Sequence, residues 1–574
     1  MAGEFQVRGS NAAALFTLKL HRGDGMTLLA MNWKVGQPPQ DFVGFAIEYK
    51  EPRGNRFFAL KNRLTFPTTA GNGGGDDANR FLTTRSPIQK FRWVHFPRNA
   101  EMAGEFVYRV TPVFMNAQDE LSYGEPQEAA IELRRETYPG ALNVTFTRGF
   151  VSSQAFVDRY QAAGDLSTLL PRKADDGLSF VPTHPDAKAA LAWMGFEARH
   201  AILEVLDRAI DDKADVFVVA YDLSEPDVVS RLEKIGPRLK VIIDDSGTHG
   251  APHSGETQAA ARLSASAGAG NVKRQHMAGL QHNKTIVVDG PTVQRVVCGS
   301  TNFTWRGFFV QANNAVVFQG KSAVKPFRTA FEDYWSNEAT FGDTASAVWT
   351  DIGISGIDAR VAFSPHGKAN ALLQSVADDI GKKTTSSLFY SLAFLYQTKG
   401  PIREAIEKVT KSADIFVYGI SDRKVGGLDL QKPDGNVAPV RPSALVKNVP
   451  EPFKSEPTGL AGGVGNRMHH KFVVIDFDKP SARVYLGSYN FSSAADIKNG
   501  ENLLLIRDRR VAVAYVVEAL RLFDHYHFRV AQEEAKQAKK KLELTRPPRT
   551  PGEVPWWTGH YTDPQRIRDR ELFA

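Results

Sequence analysis

His282-Asn283-Lys284 and His469-His470-Lys471 set an imidazole and an ammonium two residues apart, twice in one chain. On an extended segment, residues at that spacing share a face. Each pair is trailed by the same residues in the same order. Asp289 and then Gly299-Ser300-Thr301-Asn302 follow the first pair; Asp476 and then Gly487-Ser488-Tyr489-Asn490 follow the second. His, Lys and Asp recur at an offset of 187, and Gly, Ser and Asn at 188. Six matched positions in order are no chance tripeptide. Histidine serves as nucleophile or general acid near neutral pH. Lysine offers a positive charge with three donors for phosphate oxygens. Asparagine and serine add neutral donors that stabilise charge in a transition state. Two such sets face to face put imidazoles on opposite sides of an oxyanion held by two ammonium groups. That layout suits in-line displacement at phosphorus and calls for neither metal nor cofactor.

The doubled pattern, His-x-Lys-x4-Asp followed by Gly-Ser-x-Asn, resembles the phospholipase D superfamily over roughly residues 145–530. The resemblance implies a covalent phosphohistidine mechanism, in which one His attacks phosphorus while the other protonates the leaving oxygen and then activates water or an alcohol. It assigns Lys284, Lys471, Asn302 and Asn490, with Ser300 and Ser488, to the substrate phosphate, and gives Asp289 and Asp476 structural roles. It also implies a downstream acid that bonds the histidine ring of its own half. Glu501, thirteen residues after Ser488, fills that position in the second half; Asn313, thirteen after Ser300, occupies it in the first. A carboxylate partner favours the imidazolium that a general acid requires, and a neutral partner leaves an uncharged nucleophile. His282 is therefore expected as nucleophile and His469 as general acid, assisted by Glu501. His470 points away from the catalytic face and reads as a structural or secondary phosphate contact. His276 and Met277 lie in a loop that borders the pocket at most.

Strands and helices must position these residues. Each His-x-Lys precedes an apolar run, Thr285-Ile286-Val287-Val288 or Phe472-Val473-Val474-Ile475, and each Gly-Ser-x-Asn follows one. Upstream of the first copy, a helix over 187–210, a strand over 215–221, a helix over 226–235 and a strand over 239–243 give an α/β grammar. It restarts after Trp349 with a strand at 360–363, helices over 369–380 and 402–409, and strands at 387–390 and 413–418. The expected fold is α/β, with two pseudo-symmetric halves over 139–345 and 346–530 forming one catalytic core. Residues 1–138 instead alternate short apolar runs with turns and resemble a β-sandwich of the fibronectin III or immunoglobulin type. Residues 531–574 read as a basic helix over 533–544 with an irregular tail, whose Trp556-Trp557 packs back on the body or anchors at a membrane interface.

Composition narrows the class. With 574 residues, 42% hydrophobic and 24% charged, the chain is a multidomain globular protein. It holds no apolar run long enough to span a bilayer as a helix. Its start, Met1-Ala2-Gly3-Glu4-Phe5, lacks a secretory pattern, so the chain is expected in the cytoplasm or exported without such a signal. The single Cys298 excludes an internal disulfide and reads as a buried apolar residue. A net charge of +7 leans towards polyanions. The substrate is expected to be a phosphodiester of a phospholipid, or alternatively of nucleic acid, with peripheral membrane contact open. Trp305, Phe308, Phe309, Phe389, Phe394 and Tyr396 are candidates for acyl contact or for core. Both half-sites lie in one chain, so a monomer suffices.

Overall fold

The computed structural model describes residues 4–67, 78–134, 136–149, 156, 159–393, 395–397, 399–422, 428–440 and 468–574. The chain divides into two compact units, Glu136–Ala512 and the combination of Met1–Arg135 with Val513–Ala574.

Glu136–Ala512 is a mixed α/β unit built on two sheets. The seven-stranded sheet runs Leu142–Phe146, Asn314–Gln319, Gln294–Gly299, Lys284–Asp289, Asp215–Ala220, Leu239–Ile243, Val272–Arg274. Its last three strands are mutually parallel and the other pairings antiparallel. The apolar run of Asp215–Ala220 is buried in all but its first residue, as a strand covered on both faces must be. Helix Pro226–Ile235 covers it by burying Val228, Val229, Leu232 and Ile235 along one stripe. Its start is fixed by proline in the first turn and by the Glu225 carboxylate, which accepts from Val228 N–H.

The nine-stranded sheet runs Thr350–Asp351, Asp358–Ser364, Glu501–Arg507, Arg483–Gly487, Phe472–Ile475, Ser387–Ala393, Phe416–Asp422, Leu428–Gln431, Val437–Val440. Here too the strand after the histidine pairs with the strand before Gly-Ser-x-Asn, which pairs with the strand that follows it. The expected aromatic lipid contacts Trp305, Phe308 and Phe309 belong to the first sheet's core, and Phe389 is wholly buried; Phe394 lies outside the described residues.

The two glycines of Gly-Ser-x-Asn are required by geometry. Gly299 and Gly487 have φ of 135° and 136°, and a Cβ there would lie 2.6 Å from Asn314 O and 2.2 Å from Asn502 O. Only a residue without a side chain lets the strand pass so close to its neighbour.

The other unit is β-rich. One four-stranded and one five-stranded sheet share a core in which Phe16, Leu18, Leu29 and Met31 meet Phe42, Phe45, Ile47, Tyr108 and Val110, which fits a sandwich. The C-terminal segment differs from expectation. The helix spans Arg509–Gln537 and not 533–544, and the chain ends in the ordered helices Gly559–Thr562 and Pro564–Phe573. Val511–Val517 and Leu520 are all buried, so no polar stripe marked that helix in the sequence. Trp557 joins the sandwich core, and Trp556 stacks on Phe91 with centroids 5.4 Å apart.

Candidate active site

Both His-x-Lys segments enter one buried site within Glu136–Ala512. The rings of His282 and His469 lie edge to face with centroids 6.4 Å apart. Two isolated parallel bridges bring them together, Gln281 with Gly500 and Ala312 with Met468. Each catalytic segment thereby runs beside the residues that open the opposite sheet's next strand: Gly500 N donates to Leu280 O at 2.8 Å, and His469 N to Ala312 O at 3.1 Å.

That crossing overturns one expectation from the sequence. Glu501 does not serve the ring of His469. Its carboxylate stands 3.2 Å from Nδ1 of His282, an ion-pair distance, and its other oxygen accepts from Asn499 Nδ2 at 2.9 Å. His469 instead directs Nδ1 at Asn313 Oδ1 (2.9 Å) and Ser300 O (3.0 Å), both pure acceptors, so Nδ1 carries the proton. Asn313 cannot flip, because its amide nitrogen donates to Gly307 O at 2.9 Å. The middle residues of the motifs lock the same crossing. Asn502 Nδ2 donates to Asn283 Oδ1 at 2.9 Å, and Asn314 Nδ2 meets His470 Nδ1 at 3.3 Å. His470 is thus a buried structural residue. Partners across the two sheets were invisible to spacing within one motif copy.

Nδ1 of His469 is taken by its hydrogen bonds and Nδ1 of His282 faces the Glu501 carboxylate at 3.2 Å, which leaves Nε2 of each ring to react. Reacting atoms sit about 3 Å from each nitrogen in such a displacement, and rings 6.4 Å apart suit one phosphorus between them.

The lysines sit beside the histidines. Each Nζ donates to its own histidine's carbonyl, Lys471 to His469 O at 2.8 Å and Lys284 to His282 O. Lys284 also lies over the ring of Tyr221, 4.7 Å from its centroid, and that ring abuts His282 at 4.7 Å. All four cationic groups are buried together, and the crowding shows in their proton affinities. Burial pulls Lys284 down to about 7 against the pull of Asp222, Glu501 and Asp244. Lys471 is driven well below its usual range by burial and then by Lys284. Burial and then Lys284 lower His282, with Glu501 opposing, and His469 is held well down by burial and both lysines. An anion entering this site reverses that crowding.

The remaining expected residues fall into two groups. Asn302 faces the site, its Nδ2 donating to Asp222, while the side chain of Asn490 has no hydrogen-bond partner among the described residues. Ser300 and Ser488, expected on the phosphate, are fully buried with hydroxyls turned inward. Ser300 Oγ donates to Asn313 Oδ1 and accepts from Asn314 N; Ser488 Oγ accepts from Asn502 N at 3.0 Å. They hold the crossing. Asp289 pairs with Arg328, and Asp476 accepts from the backbone of Thr385, Ser386 and Ser387, so neither touches a catalytic ring. His276 is exposed on Asp245, and Cys298 is buried.

Sequence reading missed the residues at the strand ends. Tyr221-Asp222 ends one central strand and Asp244 the next, and His249 in the turn Gly247–Gly250 bridges the two acids, 2.8 Å from each. The acidic strand ends were visible in the sequence; the histidine five residues on had no periodic signal. Ligand atoms of Asp222, His249 and Glu256 fall within 4.8 Å of one another. Both ring nitrogens of His249 are already engaged by carboxylates, so the grouping is a hydrogen-bonded network.

A protein-family model described as "Cardiolipin synthase, PLD-like domain" matches residues 203–335, the segment carrying the first His-x-Lys and Gly-Ser-x-Asn. Residues 203–335 are thus similar to a phospholipase D-like domain. A phospholipase D of Rickettsia felis is 44% identical over 48 residues, covering 8% of this chain and 22% of that protein. The chain therefore spans about a fifth of the length of the curated relatives it matches. Among solved structures, the phosphatidylserine synthase of Haemophilus influenzae is 13% identical with a TM-score of 0.40, over 59% of this chain and 92% of that one. Nuc from Salmonella typhimurium, a phospholipase D family member, is 26% identical with a TM-score of 0.21, over 25% and 88%. Among the described residues no helix is long and apolar enough to cross a membrane.

Proposed function

We propose that this chain is a phosphodiesterase of the phospholipase D superfamily that works through a phosphohistidine on His282, with phospholipid as its substrate. The convergence of His282, His469, Lys284 and Lys471 in one buried site carries the reading. The two sheets are read as duplicated halves, each giving one His, one Lys and one Asn. The lipid assignment is supported by the names of the matched family model and of the Rickettsia relatives.

The chemistry follows from the crossed partners. His282 holds its Nδ1 proton towards Glu501, so Nε2 presents its lone pair to phosphorus. Attack forms the N–P bond, breaks the bond to the leaving oxygen and makes the ring cationic. The carboxylate stabilises that cation, as an acid behind a catalytic imidazole does. Two neutral acceptors hold the ring of His469, which makes its imidazolium the stronger acid of the two. It gives its Nε2 proton to the leaving oxygen, then takes one from water, whose oxygen displaces His282 and releases a phosphomonoester. The role assignment thus stands on reasons opposite to those the sequence suggested. Lys284, Lys471, Asn302 and Asn490 hold the non-bridging oxygens.

A nuclease is the second reading, favoured by the sequence pI of about 9.1 and by the wording of Met468-His469-His470-Lys471. The test offers phosphatidylcholine vesicles and single- or double-stranded DNA to the purified protein in chelator, with His282→Ala as control. Choline or phosphatidic acid released by wild type alone supports the lipid reading. Nicked DNA supports the nuclease, and no hydrolysis of either sinks the proposal.

A further inference from the structure

The two Gly-Ser-x-Asn asparagines are not held alike. Asn302 Nδ2 donates to Asp222, a carboxylate that can only accept, so the amide cannot flip and its second N–H is committed to the site. The other oxygen of Asp222 lies 2.8 Å from His249 Nε2, and Nδ1 of the same ring lies 2.8 Å from Asp244. Asp244 is fixed in turn by Ser246 N and Oγ and by Gln281 N, the residue before His282. Arg274 clamps the carbonyls of Asp244 and His249, and the Tyr221 ring packs on His249 at 4.6 Å. A ring between two carboxylates donates from both nitrogens and is a cation. Asp222 and Asp244 raise its pKa to about 10 despite burial.

Around the second motif copy the described residues show no such chain. The pairings Ala220 with Lys284 and Ser391 with Phe472 place the backbone of Ala393 where the first motif copy has Tyr221. Asp422 matches Asp244, accepting from Met468 N before His469. Among the described residues no carboxylate accepts from the side chain of Asn490.

We infer that His249 is a positioning residue: through Asp222 it locks the Asn302 amide with one N–H aimed at the substrate phosphate, making the first half the anchored side of the site. The inference rests on the phosphodiesterase reading. A locked donor contributes more than a free one, because its reorganisation is complete before the reaction.

The test is a double-mutant cycle on hydrolysis of bis(p-nitrophenyl) phosphate, with His249→Gln and the isosteric Asp222→Asn each combined with Asn302→Ala. The expected result is a loss of about tenfold to a hundredfold in kcat/KM for His249→Gln alone, and less than about twofold once Asn302 is Ala. Asp222→Asn, which keeps the side chain's shape, shows the same coupling and serves if His249→Gln does not fold. Equal losses with and without Asn302, or no loss in either single variant, overturn the inference. So does wild-type activity that a chelator abolishes and zinc restores, which would mark a metal site at Asp222, His249 and Glu256. A wild type inactive on this diester refutes the phosphodiesterase reading itself, and sulfate binding by calorimetry then carries the same cycle.

Discussion

Glu501→Gln tests the crossed pairing most sharply. The substitution keeps shape and removes one buried charge 3.2 Å from Nδ1 of His282. At that distance and an effective dielectric near 20, the attraction between carboxylate and imidazolium is about 5 kcal/mol before desolvation. In proteins the net effect of such a neighbour is about 1.4–4 kcal/mol, a factor of about ten to a thousand in rate. The assay compares two phosphodiesters, one leaving as p-nitrophenolate and one as an alkoxide, under single turnover. If Glu501 supports the nucleophile, its loss slows attack on phosphorus, and both substrates suffer alike. If it supported the general acid, the loss would vanish with p-nitrophenolate, which needs no proton to depart. A loss confined to the alkoxide substrate refutes the pairing of Glu501 with the nucleophile.

His469→Ala should behave in the complementary way: it keeps measurable p-nitrophenolate release while alkoxide release falls by about a hundredfold or more. Anion binding should depend on pH through Lys284. Its pKa is lowered to about 7, so above pH 7 the empty site has lost that proton, and an anion that restores the charge takes one up. Sulfate affinity measured by calorimetry therefore falls as pH rises above about 7, by up to about tenfold per pH unit, and Lys284→Met flattens the dependence. Gly487→Ala should destabilise the fold by about 2–4 kcal/mol in urea melts, since it adds a Cβ 2.2 Å from Asn502 O at φ 136°. Asp476→Asn should lower stability by about 1–3 kcal/mol through its backbone bonds at Thr385, Ser386 and Ser387, with kcat of the folded fraction unchanged.

The sequence made the alternation of Glu136–Ala512 legible because its elements carry local signals. Pro226–Ile235 has a cap, a proline and an apolar stripe, and its bounds in the sequence and in the structure coincide. Helix Arg509–Gln537 carried none of these, being buried nearly all round at its start. In the site, the motif residues were plain from spacing, but their partners were not. Glu501 and Asn313 were assigned within their own halves because sequence offset is local. The bridges Gln281 with Gly500 and Ala312 with Met468 hand each acceptor to the histidine of the other motif copy. The buried serines show the same limit: residue type suggested a phosphate donor, while Asn314 and Asn502 had already engaged them.

The central claim is a covalent intermediate on one named nitrogen. Rapid mixing with a phosphodiester, alkaline quench and peptide mass spectrometry locate the acid-labile phosphate. Phosphate on His282, absent in His282→Ala and accumulating in His469→Ala, is the expected result; phosphate on His469, or turnover with no phosphohistidine at all, contradicts it.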